Sequence, residues 1–170
     1  LAVEDELVLT DGSFLLGEHT LTIGAADDRG AVMVDGGTFS AVGTGTDARG
    51  EVTAVAAGQP YSFEVASGAT IAAQYANFTW MDGGGIYVQD GALVDAVDNF
   101  SHCSFTPGNE NGAMLTIEGS QVIDDIVWCD FYGTDGYNID YPGTGHITVT
   151  DGLGARWGED YDNDPSDLVD

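Results

Sequence analysis

Two short segments, Ser101-His102-Cys103-Ser104-Phe105 and Val127-Trp128-Cys129-Asp130-Phe131, carry the same Cys-x-Phe pattern 26 residues apart. Tyr75-Ala76-Asn77-Phe78 repeats it 27 residues upstream, with alanine in place of cysteine. A unit this short cannot bury its own apolar face and must stack on its neighbours to do so. Strand residues alternate between faces, so the pairs Ala76/Phe78, Cys103/Phe105 and Cys129/Phe131 are expected to point inward while Asn77, Ser104 and Asp130 point outward.

The same period runs through the rest of the chain. Leu9-Thr10-Asp11-Gly12-Ser13-Phe14 is answered 25 residues later by Val34-Asp35-Gly36-Gly37-Thr38-Phe39, and the apolar anchor returns at Val65, Val88, Ile117 and Val149. Asp-Gly occurs at positions 11, 35, 82, 90, 135 and 151, each read as a strand exit, where glycine takes positive φ and aspartate closes the turn. The first strands expected are Leu7-Val8-Leu9 and Thr20-Leu21-Thr22-Ile23, paired about Asp11-Gly12-Ser13-Phe14, and residues 43–58, rich in Gly, Ala and Thr, read as a longer loop. Like residues recur at whole-unit intervals, which in-register parallel pairing requires and simple hairpins do not.

The apolar-x-apolar-x-x-Gly strand exits, the strand starts Ile86-Tyr87-Val88 and His146-Ile147-Thr148-Val149, and the ladders of like residues resemble the right-handed parallel β-helix proteins of the pectate-lyase-like superfamily over residues 7–152. The fold expected is therefore all-β, a right-handed parallel β-helix (solenoid) of about six coils, at roughly 4.8 Å per coil. It occupies residues 1–154, with residues 155–170 as an acidic C-terminal tail that acts as a cap or linker. The ends of such a prism are open sheet edges, which must be capped or paired with another subunit.

Charge narrows the partners. The chain has 29 Asp and Glu against three basic residues, Arg29, Arg49 and Arg156, for a net charge of −26. Nucleic acid and anionic lipid need Lys and Arg to neutralise their phosphates, so both are excluded as partners. The sequence has no apolar run of about 18 residues, so no membrane insertion is expected. An acidic surface of this kind stays soluble in salt and attracts divalent cations, which points to an extracellular or cell-surface location.

Several residues are candidates for more than packing. Cys103 and Cys129 fall in one inward column on adjacent coils, either as a disulfide or as two buried thiols. Tyr75, His102 and Trp128 form an outward column beside Asn77, Ser104 and Asp130, a row of rings and polar groups suited to glycans or a protein partner. Asn77-Phe78-Thr79 and Asn99-Phe100-Ser101 match the N-glycosylation pattern at Asn77 and Asn99. Asp160, Asp162, Asp164 and Asp167 alternate as in a calcium loop, although Pro165 stands where glycine is needed.

The expected function is a non-catalytic extracellular structural protein, a surface scaffold or self-assembling fibre or sheath subunit that associates end to end or laterally. It requires no cofactor, and calcium is the one ion expected to bind. A carbohydrate-binding or adhesive module is the alternative. Resemblance to pectate lyases and polygalacturonases implies a third reading, a polysaccharide lyase or hydrolase. For lyases it implies calcium-binding aspartates with an arginine base, and for hydrolases paired aspartates with basic neighbours. Asp124-Asp125 is an adjacent pair within the repeats, and no basic residue lies near it in sequence.

Overall fold

The computed structural model describes residues 1–108, 112–133 and 135–169. Among them, the first nine strands are β1 (Ala2–Val3), β2 (Glu6–Leu9), β3 (Ser13–Leu15), β4 (Thr20–Ile23), β5 (Ala31–Val34), β6 (Thr38–Val42), β7 (Gly50–Ala54), β8 (Tyr61–Val65) and β9 (Thr70–Gln74). The rest are β10 (Ala76–Val88), β11 (Leu93–Asn99), β12 (Ser104–Pro107), β13 (Ala113–Ile117), β14 (Val122–Val127), β15 (Asp130–Phe131), β16 (Tyr137–Asp140) and β17 (His146–Thr150). The protein is all-β, and every pair of named strands runs parallel.

The strands fall into three ladders that the chain visits in rotation. The first holds β1, β4, β7, the start of β10, β12 and β15. The second holds β2, β5, β8, the end of β10, β13 and β16. The third holds β3, β6, β9 and β11, then β14 and β17. Because β10 passes through two ladders, these join into one 11-stranded sheet.

Register puts like on like. Leu21, Val52, Phe78, Phe105 and Phe131 lie directly over one another, all at 0% exposure. Phe78 and Phe105 stack at 5.7 Å and Phe105 and Phe131 at 5.4 Å, with ring planes within 13°. Leu9, Val34, Val65, Val88 and Ile117 form a second column, and Phe14, Phe39, Ile71 and Val94 a third. Each fully buried side chain of this size contributes about 1.5–3 kcal/mol, so the columns supply the apolar core that no single repeat holds alone.

Several sequence expectations need correction. Residues 43–58 are not one loop, because Val52 and Ala54 of β7 face inward and pair with Phe78 on one side and with Leu21 and Ile23 on the other. Strands 7–9 and 20–23 do not pair with each other; β2 pairs β5, and β4 pairs β1 and β7. Val149 does not continue the column of Ile117 but pairs with Ile126 in the third ladder. Asp82-Gly83 lies inside β10, where the Asp82 carboxylate accepts the Gly84 amide at 2.9 Å, and Asp135-Gly136 precedes a strand instead of ending one.

Residues after 152 continue the rotation. Leu153 bridges Asp130 in the first ladder, Asn163 bridges Asp140 in the second and Val169 bridges Ile147 in the third, all parallel. Trp157 extends the phenylalanine stack, 6.4 Å from Phe131 with planes at 9°, and Val169 is buried. At the other end, Val3, Leu7, Leu9 and Phe14 are only partly buried, whereas Val32, Val34 and Phe39 one rung inward are fully so.

The third ladder carries a seam. No backbone pairing joins β11 to β14, because each strand bulges, β11 between Val94 and Asn99 and β14 between Ile123 and Ile126. Side chains bridge the gap. The Gln121 amide accepts from Val94 N at 2.9 Å and donates to Val94 O at 2.6 Å. Asn99 donates to Asp124 O at 2.8 Å, and Ser101 Oγ donates to Asn99 Oδ1 at 2.7 Å while accepting from Val127 N at 3.1 Å. Among the described residues, every buried side-chain polar atom has a partner, as burial without water demands.

Candidate functional site

The corner between the third and first ladders turns on single residues in the left-handed backbone region. Tyr75, His102 and Trp128 occupy this place on successive rungs, with φ of 50°, 59° and 60°, and Asp151 follows with φ of 54°. This conformation costs an ordinary L-residue roughly 1–2 kcal/mol, and glycine or asparagine is its usual occupant. Large rings there are turned out from the core while the next residue, Ala76, Cys103 or Cys129, drops into it.

The sequence column is thus assembled, but unevenly. Tyr75 and His102 stack face to face at 4.4 Å and 11°, both half-buried, whereas Trp128 is 54% exposed. Partial burial, and then the nearby Arg49 guanidinium, hold the His102 imidazole below its usual range, so it is neutral at pH 7. Asn77, Ser104 and Asp130 are in register on the adjoining outward column, half-buried, with Glu51 above them.

Arg49 was not foreseen as part of this site. Its Nη1 donates to His102 O at 2.7 Å and to Asn77 Oδ1 at 3.3 Å, and its Nε to Thr46 O at 3.2 Å. It ties the corner together across 53 residues of sequence, a separation at which no local pattern gives a signal. Tyr132 was also missed: it is 48% exposed and its amide donates to Phe105 O, which places it in the first ladder beyond Asp130. Parity applied two residues past Asp130 would have found it.

Cys103 and Cys129 are neighbours in the inward column, buried and unbridged, the Cys129 thiol donating to Phe100 O at 2.9 Å. Burial pushes the Cys103 thiol up to about 12 and the Cys129 thiol well above its ordinary value. Both are protonated at neutral pH, which makes them poor nucleophiles.

Other candidates are not brought together. The carboxylate of Asp164 is spent on the amides of Leu168 and Val169, the latter at 2.7 Å, and Asp167 sits in the turn at φ 56°. Among the described residues, no three His, Cys, Asp or Glu side chains converge as metal ligands, those of Asp160, Asp162, Asp164 and Asp167 included. Asn99 is buried with its amide donating to Asp124 O, whereas Asn77 is half-buried with its oxygen facing Arg49. Asp124 and Asp125 are exposed on the β14 bulge, where the Asp124 carbonyl accepts from Asn99 and the Asp125 carbonyl lies 3.2 Å from Ser101 Oγ.

Compared with known proteins, the chain matches no family model, no curated protein and no solved structure.

Proposed function

We propose that this chain is a non-catalytic structural module of an extracellular or cell-surface assembly, its three ladders winding as a right-handed parallel β-helix of about six coils. The observation that supports this reading best is the single column Leu21, Val52, Phe78, Phe105, Phe131 and Trp157, packed rung upon rung with no site residue interrupting it. A chain that commits its interior to continuous stacking gains stiffness along the stacking axis. Its acidic exterior keeps such modules apart until cations screen or bridge them.

The role that follows is a surface scaffold or a fibre or sheath subunit that associates end to end or laterally, with calcium bridging carboxylates of neighbouring copies. Negative-stain electron microscopy and sedimentation of the purified chain, with millimolar calcium and then with chelator, test this. Filaments or sheets that form with calcium and dissolve on chelation are expected. Monodisperse particles at every calcium concentration would overturn the scaffold reading. A glycan-binding role would have to use the corner of Tyr75, His102 and Trp128, and oligosaccharide binding lost on substitution of Trp128 would favour it instead.

A further inference from the structure

Strand β15 and the residues on either side of it present an aromatic ring, a carboxylate and a second ring along the first ladder. Trp128 at the corner, Asp130 two residues on and Tyr132 two beyond that all face outward, because Cys129 and Phe131 between them are fully buried. Asp130 and Tyr132, as same-face neighbours in extended backbone, stand about 7 Å apart, and Trp128 precedes them at the left-handed corner. Trp128 and Tyr132 are 54% and 48% exposed, and Asp151 holds the next corner below Trp128.

The protein itself shows what such a combination binds. Arg156 lies with its guanidinium 5.0 Å from the centre of the Tyr161 ring and 3.7 Å from the Asp135 carboxylate. An aromatic face and a carboxylate together attract a cation more strongly than either alone. Trp is a better face than Tyr for this purpose. The two arginines nearest the Trp128 strand are already engaged, Arg156 as just described and Arg49 by the carbonyls of Thr46 and His102 and the side chain of Asn77.

We propose that Trp128, Asp130 and Tyr132 form a docking strip for an extended basic segment of a partner protein, with Arg or Lys at alternate positions laid over the two rings and the carboxylate. Charge fixes the class of partner: a net charge of −26 draws a polycation in and repels acidic glycans. It also argues against a second copy of this chain as the occupant, since three arginines are all it has to offer. The inference stands on the exposure of Trp128 and Tyr132 and the burial of Cys129 and Phe131 between them, and it does not depend on filament formation.

The test is fluorescence anisotropy of a labelled pentapeptide with arginine at alternate positions, against the same peptide with neutral citrulline, at one fixed ionic strength. The arginine peptide should bind at least about tenfold tighter than the citrulline peptide. Trp128→Ala should weaken binding about threefold to tenfold and Asp130→Asn about twofold to fivefold, each with an unchanged melting temperature. Glu4→Gln, which removes an exposed charge from the opposite end of the molecule, should have no effect. Equal losses for Asp130→Asn and Glu4→Gln would reduce the effect to general attraction and overturn the proposal. So would full binding by Trp128→Ala, or a neutral oligosaccharide that binds through Trp128 where the arginine peptide does not.

Discussion

Phe105→Ala removes a ring held by neighbours on three sides. Phe105 is fully buried, stacked on Phe78 at 5.7 Å and Phe131 at 5.4 Å, and meets Phe100 edge-on at 6.0 Å with planes at 63°. Deleting a buried phenylalanine costs about 3–5 kcal/mol, and the in-register rungs above and below cannot collapse into the gap without breaking ladder hydrogen bonds, so the upper half of that range is expected. Against a total stability of about 5–15 kcal/mol, that is enough to unfold a marginal chain. Phe14→Ala supplies the internal standard: its ring is partly buried in the first rung and stacks only on Phe39, at 5.2 Å, so about 1–2 kcal/mol is expected. The assay is urea unfolding of both variants, followed by circular dichroism with the slope checked for constancy. If Phe105→Ala costs no more than Phe14→Ala, the interior is not a load shared along one column and the argument from stacking fails.

Three further outcomes follow from the same geometry. Gln121→Leu strips the amide and carbonyl of Val94 of their partner, and should cost about 2–4 kcal/mol; an unchanged unfolding midpoint, or slow hydrogen exchange retained at Val94, would contradict the seam. Cys103 and Cys129 should resist a thiol reagent at pH 8 in the folded protein and react fully in denaturant, because burial holds both thiols protonated. The amides of Asp98 and Val97 hold the Asp95 carboxyl below its usual range. A carboxylate depressed on folding stabilises above its unfolded value, near 4, and loses that contribution as the pH falls through the folded value. Asp95→Ala should therefore destabilise at pH 7 and approach the parent as the pH falls below the ordinary carboxylate range; a difference that persists in acid would assign the effect to packing.

Side-chain parity and recurrence made much of the fold legible. Phe78, Phe105 and Phe131, and the anchors Leu9 to Ile117, stand where alternation and spacing put them, since rungs in register repeat the same burial at the same place. β7 escaped notice because Gly50-Glu51-Val52-Thr53-Ala54 is flanked by small residues and turns inward only Val52 and Ala54 besides glycine, too little apolar bulk to mark a strand. Residues 153–169 join the ladders through single bridges instead of strands, so they carry no strand pattern for the sequence to show. At the corner, ring positions followed from spacing, but the left-handed backbone that carries them and the reach of Arg49 are tertiary facts. Alternating spacing in the last residues did not reveal that the Asp164 carboxylate closes its own turn.

The seam between β11 and β14 gives the molecule a soft side. Two ladders are laced backbone to backbone from one end to the other, while the third is buttoned midway by Gln121, Asn99 and Ser101. Side-chain amides swing on rotatable bonds where backbone pairs cannot. Flexing under a sideways pull should therefore start on that flank, which would open like the outer curve of a bent reed while the other two stay shut.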